Sequence, residues 1–433
     1  MKPLLPDTGP AREHPAFRRL LAGGLLSSLG GAMTSFAMVL QIWDLSRSSL
    51  AVGLLGVTSV PVLFVGLLGG AVADTVDCRR LALVTTTGLM AVSAAFAVQA
   101  DANTGLLWPL YLLATVQAVL GAIGAPARRT FVPRLVRPDQ LTAAIALSTL
   151  GGRITMLAGP ALAGLVAAAW GLRACYTIDA ISFLASLYAT ARLPAMRPQP
   201  PAAAPPGQEP ARPARQPRAR HRLREIAAGL RFIRGRPELV AAFLMDLDAM
   251  LLGLPVALFP ALNAAHFGGS PRTLGLLSAA VGAGGLASAV LSGPVARVIR
   301  QGRGMVAGTM IWGAAIAVFG LATSLPLALA MLTVAGAADT LTVTFRAAIV
   351  QAVTPDEYRG RVSSVEYIIG TEGGPLGNIE SGTVATLATP VVSAVSGGLG
   401  CLVLAGLIGL AFPAFTRYRA TTAQTAGTAP APA

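Results

Sequence analysis

The chain has 433 residues, of which 54% are hydrophobic and 12% charged, about half the charged fraction of a typical soluble domain; with a mean hydropathy of +0.65 this excludes an ordinary soluble enzyme. The 33 lysines and arginines exceed the 19 acidic residues and give a formal charge of +14, which must be read by position before it implies a partner. Three scattered cysteines, Cys78, Cys175 and Cys401, fit neither a disulfide framework nor metal-ligand spacing, so no cofactor is expected.

Residues 1–19 are polar, contain Pro3, Pro6, Pro10 and Pro15, and give way at Leu20 to a run too long for a signal-peptide core, so the first span is expected to be retained. Uncharged stretches over 20–43, 48–73, 81–100 and 102–127 are each long enough for one pass, because a spanning helix needs about 20 apolar residues. Later runs are interrupted by single charges at Arg153, Asp179 and Asp246. The uncharged residues 304–338 would make about 52 Å of helix against a hydrocarbon core of about 30 Å, so they read as two spans turning at Thr323-Ser324-Leu325-Pro326. Residues 381–416 are divided by Thr389-Pro390 in the same way. The expected fold is an all-α membrane protein with twelve transmembrane helices starting near residues 18, 49, 80, 106, 140, 173, 238, 273, 304, 326, 361 and 390.

Between the sixth and seventh helices, nine prolines over 194–217 and ten arginines over 193–236 leave little from which to build a core. The expected organisation is a tail (1–17), a six-helix bundle (18–192), a Pro/Arg-rich linker (193–237), a second six-helix bundle (238–416) and a tail (417–433). On this map Arg47, Arg173 and Arg272 fall in loops on one side, Arg153 falls inside a span, and the other 29 basic residues lie in the termini, the linker and the opposite loops. The positive-inside rule then places both termini and the linker in the cytoplasm. Trp43, Trp108 and Trp170 sit at the outer ends of helices, as an interfacial belt requires. The charge is thus mostly topology, with attraction to anionic lipid as a further contribution; nucleic-acid binding through the linker is the alternative, and no nucleic-acid partner is expected.

The two halves resemble each other at an offset of about 215 to 223 residues. Arg129, eight residues and Pro138-Asp139 recur as Arg346, eight residues and Pro355-Asp356, pairing the loop after helix four with the loop after helix ten. Gly53-Leu54-Leu55 matches Gly275-Leu276-Leu277, Gly70-Ala71-Val72-Ala73 matches Gly293-Pro294-Val295-Ala296, and Gly159-Pro160 matches Gly374-Pro375. Two parallel six-helix repeats suit an alternating-access transporter, in which similar bundles rock about a site at the bilayer midplane.

These residues resemble the major facilitator superfamily along nearly the whole chain, in particular its branch of bacterial siderophore (enterobactin) and drug exporters. The resemblance rests on Gly69-Gly70-Ala71-Val72-Ala73-Asp74 followed by Arg79-Arg80, on Pro126-Ala127-Arg128-Arg129 through Leu135-Val136, on Leu141-Thr142-Ala143-Ala144-Ile145-Ala146 and on Arg153. It implies a cytoplasmic gate at Gly70, Asp74, Arg79 and Arg80, with Arg129 and Arg346 in the paired loops; the pattern departs from the family at Thr75, Asp77 and Cys78. Independently, Gly70 permits close helix approach, and Asp74 at a helix end can pair with basic side chains in one conformation only, which biases an alternating equilibrium. The alternative is a hydrated turn with arginines that set topology. Gly159, Pro160 and Gly164 resemble part of the antiporter signature of drug exporters, with Gly374 and Pro375 as the repeat counterparts; generic helix packing is the plainer reading.

Ionisable residues inside spans are costly, at about 2.5 to 3.5 kcal/mol on insertion scales, and are functional candidates. They are Arg153, Asp179, Asp246, Asp248, Asp339, Glu366, Glu372 and Glu380. Arg153 lies about 18 Å along its helix, near the midplane, and Glu372 lies at similar depth in the symmetry-related helix, which makes the two a candidate ion pair. Asp246 and Asp248 are about 200° apart around a helix, so they cannot both face one cavity. Helices one, four, seven and ten line the cavity in the family, which makes Asp339 and one member of the Asp246/Asp248 pair candidates for proton carriage. Glu366 and Glu380 are about 21 Å apart along their helix and cannot share a proton.

No phosphate-binding loop occurs, and the single lysine is Lys2, which excludes a P-loop ATPase within the chain. His14, His221 and His266 fall in the tail, the linker and an outer loop, which argues against a histidine relay. The expectation is a monomeric secondary transporter in a bacterial cell membrane, exporting a small amphipathic organic molecule in exchange for protons. An importer or uniporter on the same scaffold, a membrane-embedded enzyme, and a sensor or scaffold without transport are the alternatives. Arginine outnumbers lysine 32 to one, which suggests a bacterium with GC-rich DNA.

Overall fold

The computed structural model describes residues 8–62, 65, 76–102, 105–194, 196, 219–253, 256–290 and 300–418, with backbone alone at 219–226, 290, 371 and 372. Among them there are helices and no strands. The principal helices are α1 (Pro15–Ser46), α2 (Ser49–Gly53, continued by the 3-10 turn Leu54–Ser59), α3 (Cys78–Ala102), α4 (Trp108–Arg129), α5 (141–170), α6 (172–191), α7 (Pro237–Leu252), α8 (Pro271–Val290), α9 (Gln301–Leu321), α10 (Leu325–Val353), α11 (Asp356–Leu387) and α12 (Pro390–Ala411). Each begins within five residues of a start expected from the sequence. Proline stands in the first turn of α1, α4, α7, α10 and α12, where its missing N–H would have had no helical partner in any case.

Eight helical segments among the described residues are long and apolar enough to cross a bilayer. One of them, Pro138–Ala191 with 54 residues, would be about 80 Å long if straight. It is not straight. Gly171, at φ 78° and ψ 176°, takes a backbone conformation closed to side-chain-bearing residues, and the chain reverses there. The reversal brings the Cys175 thiol within 3.6 Å of the Ala163 carbonyl, so α5 and α6 are separate passes. The segments α2, α8 and α11 fall outside the eight: α2 and α8 border residues outside the described set, and α11 carries seven charged side chains.

Call the face from which α1 starts and α12 leaves the terminal face, and its opposite the far face. Helix α1 packs between α5 and α6: Gly151 lies against Leu25 and Gly159 against Ala32, while Gly23 meets Ala185 and Gly30 meets Asp179. The first pair of contacts runs parallel and the second antiparallel. In the second half, Gly284 lies against Thr333 and Ala337, joining α8 to α10, and Gly313 against Gly398, joining α9 to α12. The halves meet at two seams. At one, Gly275 of α8 sits on Pro160 and Gly164 of α5, where a methyl group would come within 2.7 Å of the Pro160 carbonyl oxygen. At the other, Gly56 of α2 sits on Pro375 of α11, where a methyl would come within 2.5 Å of that carbonyl oxygen. Both seams lie toward the far face, and Pro160, Gly275, Pro375 and Gly53, which sits on Asn378, are residues of the sequence repeat that contribute to them.

At the far face, Arg47 pairs with Asp44 at 3.5 Å and Arg173 with Asp101 at 2.8 Å, so two of the three arginines there carry a neutralising partner. Trp108 and Trp170 are exposed at helix ends on that face. The seventh helix departs from a single continuous pass: α7 stops at Gly253, and the chain resumes as the 3-10 turn Val256–Leu258 and the helix Phe259–His266. Gly253 leaves the room that the Trp312 indole occupies. Within the linker, Ala219–Arg234 is helical and packs on α11.

Two glycine substitutions test this packing. Gly398→Val places carbons against Ala317 and the Gly313 carbonyl, where even a methyl would be 2.6 Å from that oxygen; it should lower stability by about 1–3 kcal/mol through overpacking. Gly31→Ala, with nothing within 4 Å, should leave the thermal unfolding midpoint of the detergent-solubilised protein unchanged or raise it. Equal losses from both variants would contradict the packing described.

Candidate functional site

The buried charges concentrate where α7, α10 and α11 meet. Arg346 of α10 is buried and forms an ion pair with Asp246 of α7, while its other Nη donates toward Glu366 of α11 at 3.5 Å. The sequence repeat placed Arg346 in a loop like its counterpart Arg129; instead it lies inside α10. The reason is covalent. In the first half Pro126 and Pro133 flank Arg129, and α4 ends there; the corresponding second-half positions are Val343 and Val350, which let the helix continue to Val353 and carry the arginine inward. One guanidinium balancing two carboxylates explains how this part of an apolar chain tolerates three ionised groups.

Asp339 lies two turns before Arg346 on α10, half-buried, and feels the charges of Asp246, Arg153 and Arg346. Arg153 reaches across from α5: a methyl added at Gly285 of α8 would lie 3.8 Å from its Nη1 and 3.0 Å from the Thr340 hydroxyl of α10. The deep cation of the first half thus lies within electrostatic range of Asp339 in the second. Its described neighbours are on α8 and α10; the side chain of Glu372, proposed above as its partner, lies outside the described residues. Beyond Arg153 toward the far face is a cavity of about 330 Å³ between the halves, lined by Ser35, Phe36, Met156, Phe259, Leu274 and Ser278 among others. Its wall is apolar with two hydroxyls, and Pro160 and Leu274 in that wall place it directly beside the Gly275 seam.

Asp248 takes a different direction from Asp246: it is buried beside the Cys401 thiol of α12, and neither carboxyl oxygen has an N–H or O–H hydrogen-bond donor. Asp179, fully buried in the first half, accepts hydrogen bonds from Thr34 of α1 at 2.7 Å and Ser93 of α3 at 2.6 Å. Nearby, the Tyr176 hydroxyl donates to Gln41, whose amide donates to Gln99. The same three helices are therefore cross-linked twice. Glu380 is half-buried on α11 close to the α2 seam.

Of the expected gate, Gly70 and Asp74 lie outside the described residues. Arg79 donates to the Ala191 carbonyl at 2.5 Å, tying the start of α3 to the end of α6, and Arg80 and Arg129 are exposed. Asp77, where the family pattern differs, accepts from the backbone N–H of Arg79 at 2.8 Å and of Arg80 at 3.4 Å, so it caps α3. Of the small-residue set, Gly159 packs on Ala32 within the first half, Pro160, Gly164 and Pro375 form the seams, and Gly374 is half-buried in α11. The residues that sequence reasoning missed are the hydroxyl donors Thr34 and Ser93; a serine or threonine in an apolar helix facing a known buried acid is the signal, and it appears only once helix rotation is known.

Two helical bundles joined by glycine seams, with a buried charge cluster in the second, have the architecture of a multi-pass membrane transporter. The chain belongs to the transmembrane secretion effector family, which it matches over residues 8–430, within the major facilitator superfamily. It is 27% identical to the enterobactin exporter EntS of Citrobacter koseri over 357 residues, 82% of this chain and 81% of that protein, and equally to EntS of Escherichia coli O1:K1. Its fold is similar to a POT family transporter in complex with 5-aminolevulinic acid, with a TM-score of 0.72 at 9% identity over 93% of this chain and 97% of that one. It is similar too to a bacterial homologue of the human lysosomal transporter Spinster in an inward-facing, unoccupied conformation, with a TM-score of 0.71 at 14% identity over 96% and 100% of the two chains.

The ion-pair geometry makes a stability prediction. Arg346→Gln leaves Asp246 and Glu366 without their cation and should destabilise by about 3–5 kcal/mol, whereas adding Asp246→Asn should recover part of that loss. Thr34→Val, which removes one donor from Asp179, should cost about 1–3 kcal/mol. Thermal unfolding of the purified protein measures all three, and a double variant no better than Arg346→Gln would contradict the pairing.

Proposed function

We propose that this transporter exports a small amphipathic organic molecule, of the siderophore or antibiotic kind, across the bacterial cytoplasmic membrane in exchange for protons. The bundles 18–192 and 238–416 rock about the midplane, linked by 193–237, with both termini and the linker in the cytoplasm and a single chain as the working unit. The observation that carries this reading is that Arg153 of one half reaches Gly285 of the other, within electrostatic range of Asp339 and next to the apolar cavity. An amphipathic molecule places its apolar body in that cavity and its polar group among the charges.

In this reading, the glycine seams close the far face, which makes it the extracellular side of an inward-facing state. Opening the far face separates α5 from α8 and moves Arg153 away from Asp339. A carboxylate that loses a nearby cation holds a proton more readily, so the same movement that delivers the substrate outside lets Asp339 take up a proton there. The return movement restores the cation and releases the proton to the cytoplasm. Asp246 and Glu366 stay bound to Arg346 within one bundle throughout, and Asp74, Arg79 and Arg80 form the gate of the opposite state.

The test is transport in inverted membrane vesicles with an imposed pH gradient, over a panel of catecholate siderophores and amphipathic antibiotics. Wild-type vesicles should accumulate at least one compound when their interior is acidic. Asp339→Asn should retain substrate binding and counterflow exchange but lose dependence on the gradient. Accumulation indifferent to the gradient in the wild type would sink proton exchange, and unchanged gradient dependence in Asp339→Asn would remove that residue from the pathway.

A further inference from the structure

The linker helix Ala219–Arg234 is held to the second bundle by one face. Gly229 is pressed onto the first turns of α11, where a methyl would come within 2.7 Å of the Arg361 carbonyl oxygen, and Ile233 is buried against Leu239, Phe243, Val362 and Val365. Phe232 stacks on Tyr358 of α11 with ring centroids 4.3 Å apart. The stack is capped at both ends: the Arg236 guanidinium lies 5.5 Å from the Phe232 centroid and the Arg361 guanidinium 5.2 Å from that of Tyr358. Such cation–ring contacts reinforce the docking.

The opposite face is basic. At about 100° per residue, positions Arg220, Arg224, Arg231 and Arg234 fall within about 80° of one another, on the side of the helix away from Gly229, Phe232 and Ile233. Arg231 and Arg234 are exposed, and among the described residues neither makes an ion pair with a carboxylate. Leu223 and Leu230 lie at the border of this stripe, and Leu230 is 43% exposed. The helix turns straight into α7 through Gly235 and Arg236, and it packs against the start of α11, so it sits at the level where two helices enter the bilayer. A basic stripe bordered by leucine at that level has the chemistry of a helix lying among anionic headgroups.

We infer that the linker helix binds the phosphate headgroups of anionic lipids through Arg220, Arg224, Arg231 and Arg234, anchoring the terminal end of α11 to the membrane surface. Helix α11 also carries Glu366, so the lipid contact fixes the helix that holds one side of the Arg346 cluster. The inference does not rest on the direction of transport, on the substrate or on proton exchange.

The experiment is hydrogen exchange of residues 219–236 in the full chain reconstituted in nanodiscs of phosphatidylcholine, with and without phosphatidylglycerol. The helix should exchange more slowly with the anionic lipid, and the difference should vanish in about 1 M salt, where charges are screened beyond about 3 Å. Each Arg→Gln substitution on the stripe should weaken headgroup affinity roughly fivefold, and Arg220→Gln/Arg224→Gln/Arg231→Gln/Arg234→Gln together should erase the difference while exchange in α3 and α9 stays at the wild-type level. Equal exchange in both lipids, or protection that survives in the fourfold variant, overturns the assignment. Protection by an RNA oligonucleotide in phosphatidylcholine discs, with none from phosphatidylglycerol, overturns it in favour of a soluble polyanion.

Discussion

Everything in this molecule that moves or binds depends on how closely two backbones approach at the far face. Lipid tails are as apolar as leucine, so helices in a bilayer gain little from burying hydrocarbon and associate through packing and polar contacts. Here the approach is made possible by Gly275 against Pro160 and Gly164, and by Gly56 against Pro375. A proline has no N–H to protect and its ring frees the carbonyl one turn back, while a glycine opposite removes the side chain that would hold the helices apart. The result is a close backbone contact at each seam, set beside an apolar cluster that includes Phe36 and Ala163 of one half and Phe259 and Leu274 of the other.

The buried charges are distributed in keeping with that arrangement. Some are partnered within one bundle, Asp179 Oδ2 by Thr34 and Ser93 and Asp246 by Arg346. Arg153 is different, because its neighbours Gly285 and Asp339 belong to the other half. Its electrostatic environment is a property of the interface rather than of either bundle. Asp248, two residues from Asp246, is buried against Cys401 of α12, on a different side of α7 from the Arg346 cluster.

Much of the fold is legible in the sequence because bilayer thickness converts hydropathy into helix count, and because the repeat marks both seam prolines, Pro160 and Pro375. Gly159-Pro160 and Gly374-Pro375 could be matched without knowing what they touch. The ion pairs were less accessible. Which of Asp246 and Asp248 meets Arg346 depends on the rotation of α7, and hydropathy fixes length and depth but not rotation. Arg346 itself was misplaced because the repeat suggested a loop, and the two valines that replace prolines were the available evidence against it. Asp77 looked like a departure from a gate pattern and serves as a helix cap, a role any aspartate before a helix can fill.

Gly171 joins α5 to α6 without any loop between them. Two helices that share a single hinge residue of fixed conformation, with α1 wedged along both, behave as one lever rather than as two rods on a string. The seam of α5 with α8 is thus linked through Gly171 to α6, and through the hydroxyls on Asp179 to α1 and α3.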